Sequence, residues 1–180
     1  MKAIYKRELR SYFTSPIGYV FVAVYLVLSG VLFAYTTLLS AISGGSADIG
    51  TYFTVLICGF SFLLPLLTMR LFADDRRMKT EQLLLTAPVS IGGMVGAKFL
   101  AAYTVFAGTY AVSALDFLLL YIYNDTTGVV TEKNTAMLVG YSIAVLLLGA
   151  AFIAIGVFVS SLTEHQITAV IATIAILVFC

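Results

Sequence analysis

Apolar residues run along this chain in long unbroken blocks, without the periods of 2 or 3.6 that mark half-buried strands and helices. Residues 17–42 form the first block and carry no charge. At about 1.5 Å per residue this block reaches about 39 Å, enough to cross a ~30 Å hydrocarbon layer with tilt. Residues 51–69, 99–123 and 135–160 form three more, and each predicts a membrane-spanning helix. The connections differ in kind. Residues 43–50 (SGGSADIG) and 161–166 (SLTEHQ) read as short polar turns, 124–134 (NDTTGVVTEKN) as a polar loop, and 70–98 as a long charged segment. Residues 167–180 are apolar to the last residue but cover only about 21 Å, so they predict part of a fifth span of a longer protein. The expected fold is an all-α polytopic bundle, a single transmembrane domain with four complete spans and a truncated fifth.

The N-terminal stretch 2–15 (KAIYKRELRSYFTS) patterns differently. At 100° per residue, Tyr5, Leu9, Tyr12 and Phe13 share one arc, and Lys6, Arg7 and Arg10 share another. This predicts a short basic amphipathic helix at the membrane interface. Ser15, placed before Pro16, resists helical torsions, whereas Pro16 suits the first position of a new helix. The pattern therefore predicts an elbow: interfacial helix, corner, first span.

Composition narrows the class further. The chain is 61% hydrophobic and 11% charged, against roughly 45–50% and about 25% for soluble domains. A soluble globule is excluded by the first figure, and a disordered chain by both. A net charge of +1 points to no nucleic-acid partner. Placement of the charges says more. Lys2, Lys6, Arg7, Arg10, Arg70, Arg76, Arg77, Lys79 and Lys98 fall on one side of the expected spans, and Lys133 on the other. The positive-inside rule then puts the N-terminus and segment 70–98 in the cytoplasm, which suits a multi-pass protein of a cell membrane. Tyr121 and Tyr123 fit an outer aromatic belt, and Tyr12 and Phe13 an inner one. The first apolar block is too long for the core of a cleavable signal peptide. Cys58 and Cys180 have no disulfide or metal spacing and read as apolar fillers.

Segment 70–98 carries the most information. Four basic and three acidic residues between Arg70 and Glu81 suit a solvated or protein-facing surface better than a lipid-binding polybasic patch. Thr80 can cap a short helix with Glu81 in its first turn, and Pro88 stops it near Ala87. Leu83, Leu84 and Leu85 cannot all face one way on so short a helix, which needs a surface to lie against. Ser90 can cap a following helix that runs into the third span through Gly92, Gly93, Gly96 and Ala97, small residues that permit close helix contact. Two readings stand at this point: a loop resting on its own bundle, or a docking element for a cytoplasmic protein. Its length, far beyond the ~2–8 residues usual between helices, favours docking.

The stretches MKAIYKRELRSYFTSPIGYV, LTMRLFADDRRMKTEQLLLTAPVS and SSLTEHQ together resemble the permease subunit of bacterial type-2 ATP-binding-cassette (ABC) exporters, of the gliding-motility and copper-processing branches. The resemblance implies an N-terminal elbow helix, six spans, pairing with a second permease copy or paralogue, and two separate cytoplasmic ABC ATPase subunits. It also implies a coupling helix that docks on the ATPase. Here that helix corresponds to Thr80, Glu81, Gln82, Leu83, Leu84, Leu85 and Thr86, with Pro88 and Ser90 leaving it. The turn Thr163, Glu164, His165 and Gln166 corresponds to a second, smaller cytoplasmic contact. The implied function is export of a substrate across the membrane, with ATP and Mg bound by the partner and no cofactor in this chain. The other partners are membrane lipid and the cargo itself.

The residues agree with that division of labour. The nearest approach to a phosphate loop, Gly92–Phe99, lacks the Gly-Lys-Ser/Thr ending and a preceding strand. An intramembrane enzyme would need convergent acids, nucleophiles or metal ligands, and the spans offer neither HExxH nor Gly-x-Ser-x-Gly. Asp116, about 10 Å from the outer end of its span, is either a pathway residue or, the reading we favour, an interfacial carboxylate that snorkels or bonds to a neighbouring helix. Pro65 predicts a kink in the second span. His165, beside Glu164, is expected to be exposed, and one histidine makes no metal site. Asn124–Thr126 matches a glycosylation sequon, incidental in a bacterial setting. The competing reading of the whole is a non-transporting scaffold subunit of an envelope complex.

Overall fold

A computed structural model describes residues 2–14, 16–39, 49–69, 71, 91–122, 132–163 and 166–179, and among these residues there is no strand. The helices are α1 (Lys2–Thr14), α2 (Pro16–Phe33), α3 (Ile49–Thr68), α4 (Ile91–Ile122), α5 (Glu132–Leu162) and α6 (Gln166–Phe179). A π-helical turn, Ala34–Leu38, extends α2. Stretches within α2 to α5 (Gly18–Thr36, Ile49–Thr68, Gly92–Leu118 and Thr135–Leu162) are long and apolar enough to cross a membrane; Ile167–Phe179 is apolar but shorter. In hydrocarbon, every backbone polar group must be satisfied within the segment, which selects helices. The hydroxyls obey the same rule. Thr36, Thr54, Thr104, Thr109, Ser142 and Thr173 each donate to the carbonyl four residues earlier, so their polar atoms add no cost to an apolar helix.

Helix α3 lies at the centre, packed against α2, α5 and α6, while α4 packs against α1, α2 and α5. The inward stripe of α3, Leu56, Phe60, Leu64 and Leu67, is wholly buried. Facing it are Phe21 and Tyr25 of α2, Ala101, Ala102 and Phe106 of α4, and Val145 and Ile153 of α5. Rings organise this core. Tyr25 stacks on Phe60 at 5.6 Å, and Phe60 meets Phe106 edge-on at 5.2 Å. A second group joins Tyr52, Phe53, Phe33, Phe117 and Tyr141. The outside is also apolar. Val20, Val24, Val27 and Val31 line an exposed face of α2, and Leu147, Phe158, Ile167 and Ile171 are exposed on α5 and α6. Such a surface suits lipid and not water.

Several helix ends differ from the ends of the expected apolar blocks, while the corner falls where expected. Helix α1 ends at Thr14, and α2 begins at Pro16 as the proline predicts. The corner between them is tight: a Cβ at Gly18 would lie 2.9 Å from the carbonyl carbon of Tyr12, so only glycine fits there. In α2 regular α geometry gives way at Ala34 to the π-helical turn, the helix runs on to Leu39, and the expected end at residue 42 lies outside the described residues. Helix α4 starts at Ile91, directly after Ser90, as expected of a helix that runs into the third apolar stretch, and Lys98 lies within it. Helix α5 starts at Glu132, inside the expected outer loop. Of the four small residues expected to permit close helix contact, Gly93 and Ala97 are buried, whereas a Cβ at Gly92 or Gly96 would meet nothing among the described residues within 4 Å. Close approach occurs instead at Gly156, where a Cβ would lie 2.8 Å from Thr68 Cβ. Helix α3 continues through the buried Pro65 to Thr68.

Candidate functional site

The end of α3 is the place where four helices meet through polar atoms. A helix C-terminus leaves carbonyls without intrahelical donors, and in a membrane these need partners. Tyr12 Oη of α1 donates to the Leu67 carbonyl at 3.1 Å. Ser160 Oγ of α5 donates to the Met69 carbonyl at 3.3 Å. Thr68 Oγ1 lies near the Leu64 and Pro65 carbonyls at 3.1 and 3.3 Å. Lys98 Nζ of α4 donates to the Leu71 carbonyl. The result is a polar collar around the last turn of α3, supplied from α1, α4 and α5.

Lys98 is the unusual member, with a side chain only 1% exposed. It sits on the inward stripe of α4 with Met94, Ala101, Ala102 and Val105, all buried. An ammonium in that position requires compensation. Glu8 Oε1 supplies it at 3.4 Å, and the same carboxylate accepts from Arg7 at 2.8 Å. The ammonium also lies at the end of α3, where the helix dipole favours positive charge. Glu8 reaches it because the α1 arc of Tyr5, Glu8, Leu9 and Tyr12 turns inward; Tyr5 Oη and Thr104 Oγ1 pair at 3.0 Å farther along α4. Neither Glu8 nor Lys98 stood out in the sequence as a site residue. The available signal was position: each lies on the apolar stripe of its helix.

The residues of the expected coupling helix, Thr80, Glu81, Gln82, Leu83, Leu84, Leu85, Thr86, Pro88 and Ser90, lie outside the described residues. So do Glu164 and His165, and of Gln166 only the backbone at the start of α6 is described. Thr163 is described, and its hydroxyl donates to the Val159 carbonyl at 3.2 Å. The described ends of these two stretches are brought together. The Ser160–Met69 bond puts Met69, just before residues 72–90 in the chain, beside the end of α5, which ends at Leu162 just before residues 163–166.

Asp116 sits apart from the collar, half-buried on α4 one turn beyond Ser113. Ser113 Oγ donates to the Tyr110 carbonyl at 2.9 Å and pairs with Tyr25 Oη at 3.0 Å, so Tyr25 is the donor of that second bond. Ser29 Oγ, wholly buried, has no hydrogen-bond partner among the described residues. No group of three or more His, Cys, Asp or Glu side chains among the described residues is arranged to hold a metal. Cys58 is exposed on α3.

These features define a class: an all-α bundle whose long helices fit a membrane, with an N-terminal amphipathic helix joined to its core. Beyond the class, no family model, curated protein or solved structure matches this chain.

Proposed function

We propose that this chain is the transmembrane permease subunit of an ATP-driven exporter of the ABC type, oriented with its N-terminus in the cytoplasm. A separate cytoplasmic ATPase supplies the energy, and a second permease copy or paralogue completes the pathway. The motifs of the resemblance carry most of this reading. The collar at the end of α3 supports it. A segment that receives force from a partner must be rooted in the helices it moves, and Leu71, at the root of residues 72–90, is tied through Lys98 to α4 and α1. The neighbouring turn at 163–166 gives the same partner a second point of contact. Thr80–Thr86 is the docking helix in this reading, with Glu81 and Leu83–Leu85 on the partner.

The test is a pull-down of the full-length protein from mild detergent, with mass spectrometry and an ATP-hydrolysis assay. The expected result is a stoichiometric P-loop ATPase, lost on Glu81→Lys or on a double Leu84→Asp, Leu85→Asp change. Undiminished ATPase binding and export in those variants would remove the docking role. A complex without any ATPase would turn the assignment to a scaffold subunit.

A further inference from the structure

Helix α1 has mixed charge in sequence, with Lys6, Arg7 and Arg10 against a single acid, Glu8. The fold separates them. Glu8 faces inward, buried against Lys98, while Lys6, Arg7 and Arg10 are exposed. At 100° per residue these three cations span an arc of about 100° that contains no acid. Arg7 shares its charge with Glu8 at 2.8 Å, which leaves Lys6 and Arg10, one helical turn apart, as the outward pair. Lys2 stands one further turn back in the same register.

The level of this arc follows from the corner. The Tyr12 carbonyl packs on Gly18, where the apolar stretch Gly18–Thr36 begins, so the last turn of α1 sits at the edge of the hydrocarbon. Exposed cations cannot lie deeper without large cost. Phe13, 55% exposed, borders the cationic arc, and Tyr19 just past the corner is 61% exposed. Aromatic rings beside basic residues at the boundary are the pattern of an interfacial anchor. Beyond Tyr19, the exposed valines of α2 continue the surface into the region of the acyl chains.

We propose that the outward arc of α1, centred on Lys6 and Arg10 with Phe13 at its border, binds the headgroups of anionic phospholipids. The inward turn of Glu8 makes this possible by removing the one acid from the lipid-facing side. The complement is a phosphate-bearing headgroup with net negative charge, whose acyl chains lie along α2. This inference requires a membrane-embedded bundle and is independent of any ATPase.

The chain contains no tryptophan, so Phe13→Trp introduces a single tryptophan beside the arc, excited at wavelengths that its tyrosines do not absorb. The full-length Phe13→Trp protein is reconstituted at low salt into mixed phosphatidylglycerol–phosphatidylcholine bilayers, with either lipid brominated. Quenching then reports which headgroup occupies the arc. Each cation near an anionic surface contributes about fivefold in binding, so the anionic lipid is preferred by at least about fivefold. The preference falls to near unity in Lys6→Gln/Arg10→Gln, survives in Lys6→Arg/Arg10→Lys, and weakens as salt rises. No preference in the parent, or a preference unmoved by the double glutamine change, would overturn the proposal. If the glutamine pair instead reduces capture of a cytoplasmic protein with lipid preference absent, the arc belongs to a protein partner and the lipid assignment fails.

Discussion

Removing the acid from the Glu8–Lys98 pair is expected to harm this fold more than removing the base. The Lys98 side chain is 1% exposed and that of Glu8 12%, with 3.4 Å between Nζ and Oε1. In Glu8→Leu the ammonium stays buried with its facing carboxylate gone. Breaking a buried pair in this way costs about 3–5 kcal/mol, and the part-exposed carboxylate and long separation set the value near about 3 kcal/mol. In Lys98→Met the carboxylate keeps Arg7 at 2.8 Å and its window to solvent. What remains is the Leu71 carbonyl deprived of this donor, a loss of about 1–2 kcal/mol. The double variant buries no charge and keeps only the carbonyl loss, so it matches Lys98→Met within about 0.5 kcal/mol. The pair therefore shows a coupling of about 3 kcal/mol. Unfolding of the full chain by SDS titration in mixed micelles measures all four species. A Lys98→Met protein less stable than Glu8→Leu, or additive single changes, would show that the buried ammonium does not depend on the Glu8 carboxylate.

Other outcomes follow from the packing. Gly156→Ala forces a methyl against Thr68 and costs about 1–3 kcal/mol, partly restored by Thr68→Ala; an unshifted SDS midpoint would contradict the close approach. Phe60→Ala, at the crossing of α2, α3 and α4, costs about 3–5 kcal/mol, whereas Tyr25→Phe keeps the ring stack and loses one intramembrane hydrogen bond of about 0.6 kcal/mol. The same titration checks both, and comparable losses in the two would deny that apolar ring contact outweighs the hydroxyl pair. Asp116→Asn is expected to leave membrane abundance unchanged, as measured by immunoblot of washed membranes, since among the described residues its carboxylate has no hydrogen bond to lose.

The charge-free blocks were decisive without tertiary information. Where water is absent, backbone groups have no partner but their own helix, so length and apolarity alone specify the long helices. Pro16 likewise marked the start of α2, because its ring fixes a helix-compatible torsion and its missing N–H is no loss in the first turn. Ends were less legible. The Ser90 cap marked the start of α4 at Ile91, but an apolarity count alone does not distinguish a helix that projects beyond the hydrocarbon from one that stops at its edge. The small-residue pattern at Gly92, Gly93, Gly96 and Ala97 was realised in part, with Gly93 and Ala97 buried and a Cβ at Gly92 or Gly96 meeting no described neighbour. Spacing says that backbones can approach, while the facing helix decides whether they do, and the contact lies at Gly156. The collar was hidden most completely. Lys98 counted as one more cytoplasmic cation, and Glu8 as part of a basic helix. A charge is read from sequence as solvated, because burial costs several kcal/mol unless a partner meets it. That partner stands 90 residues away along the chain, and only the packing of α1 on α4 brings it within reach. Sequence alone thus determined that these helices are long and apolar enough for a membrane and where α2 begins. Tertiary structure decided which charges turn inward to hold the end of α3 and which are left to face outward.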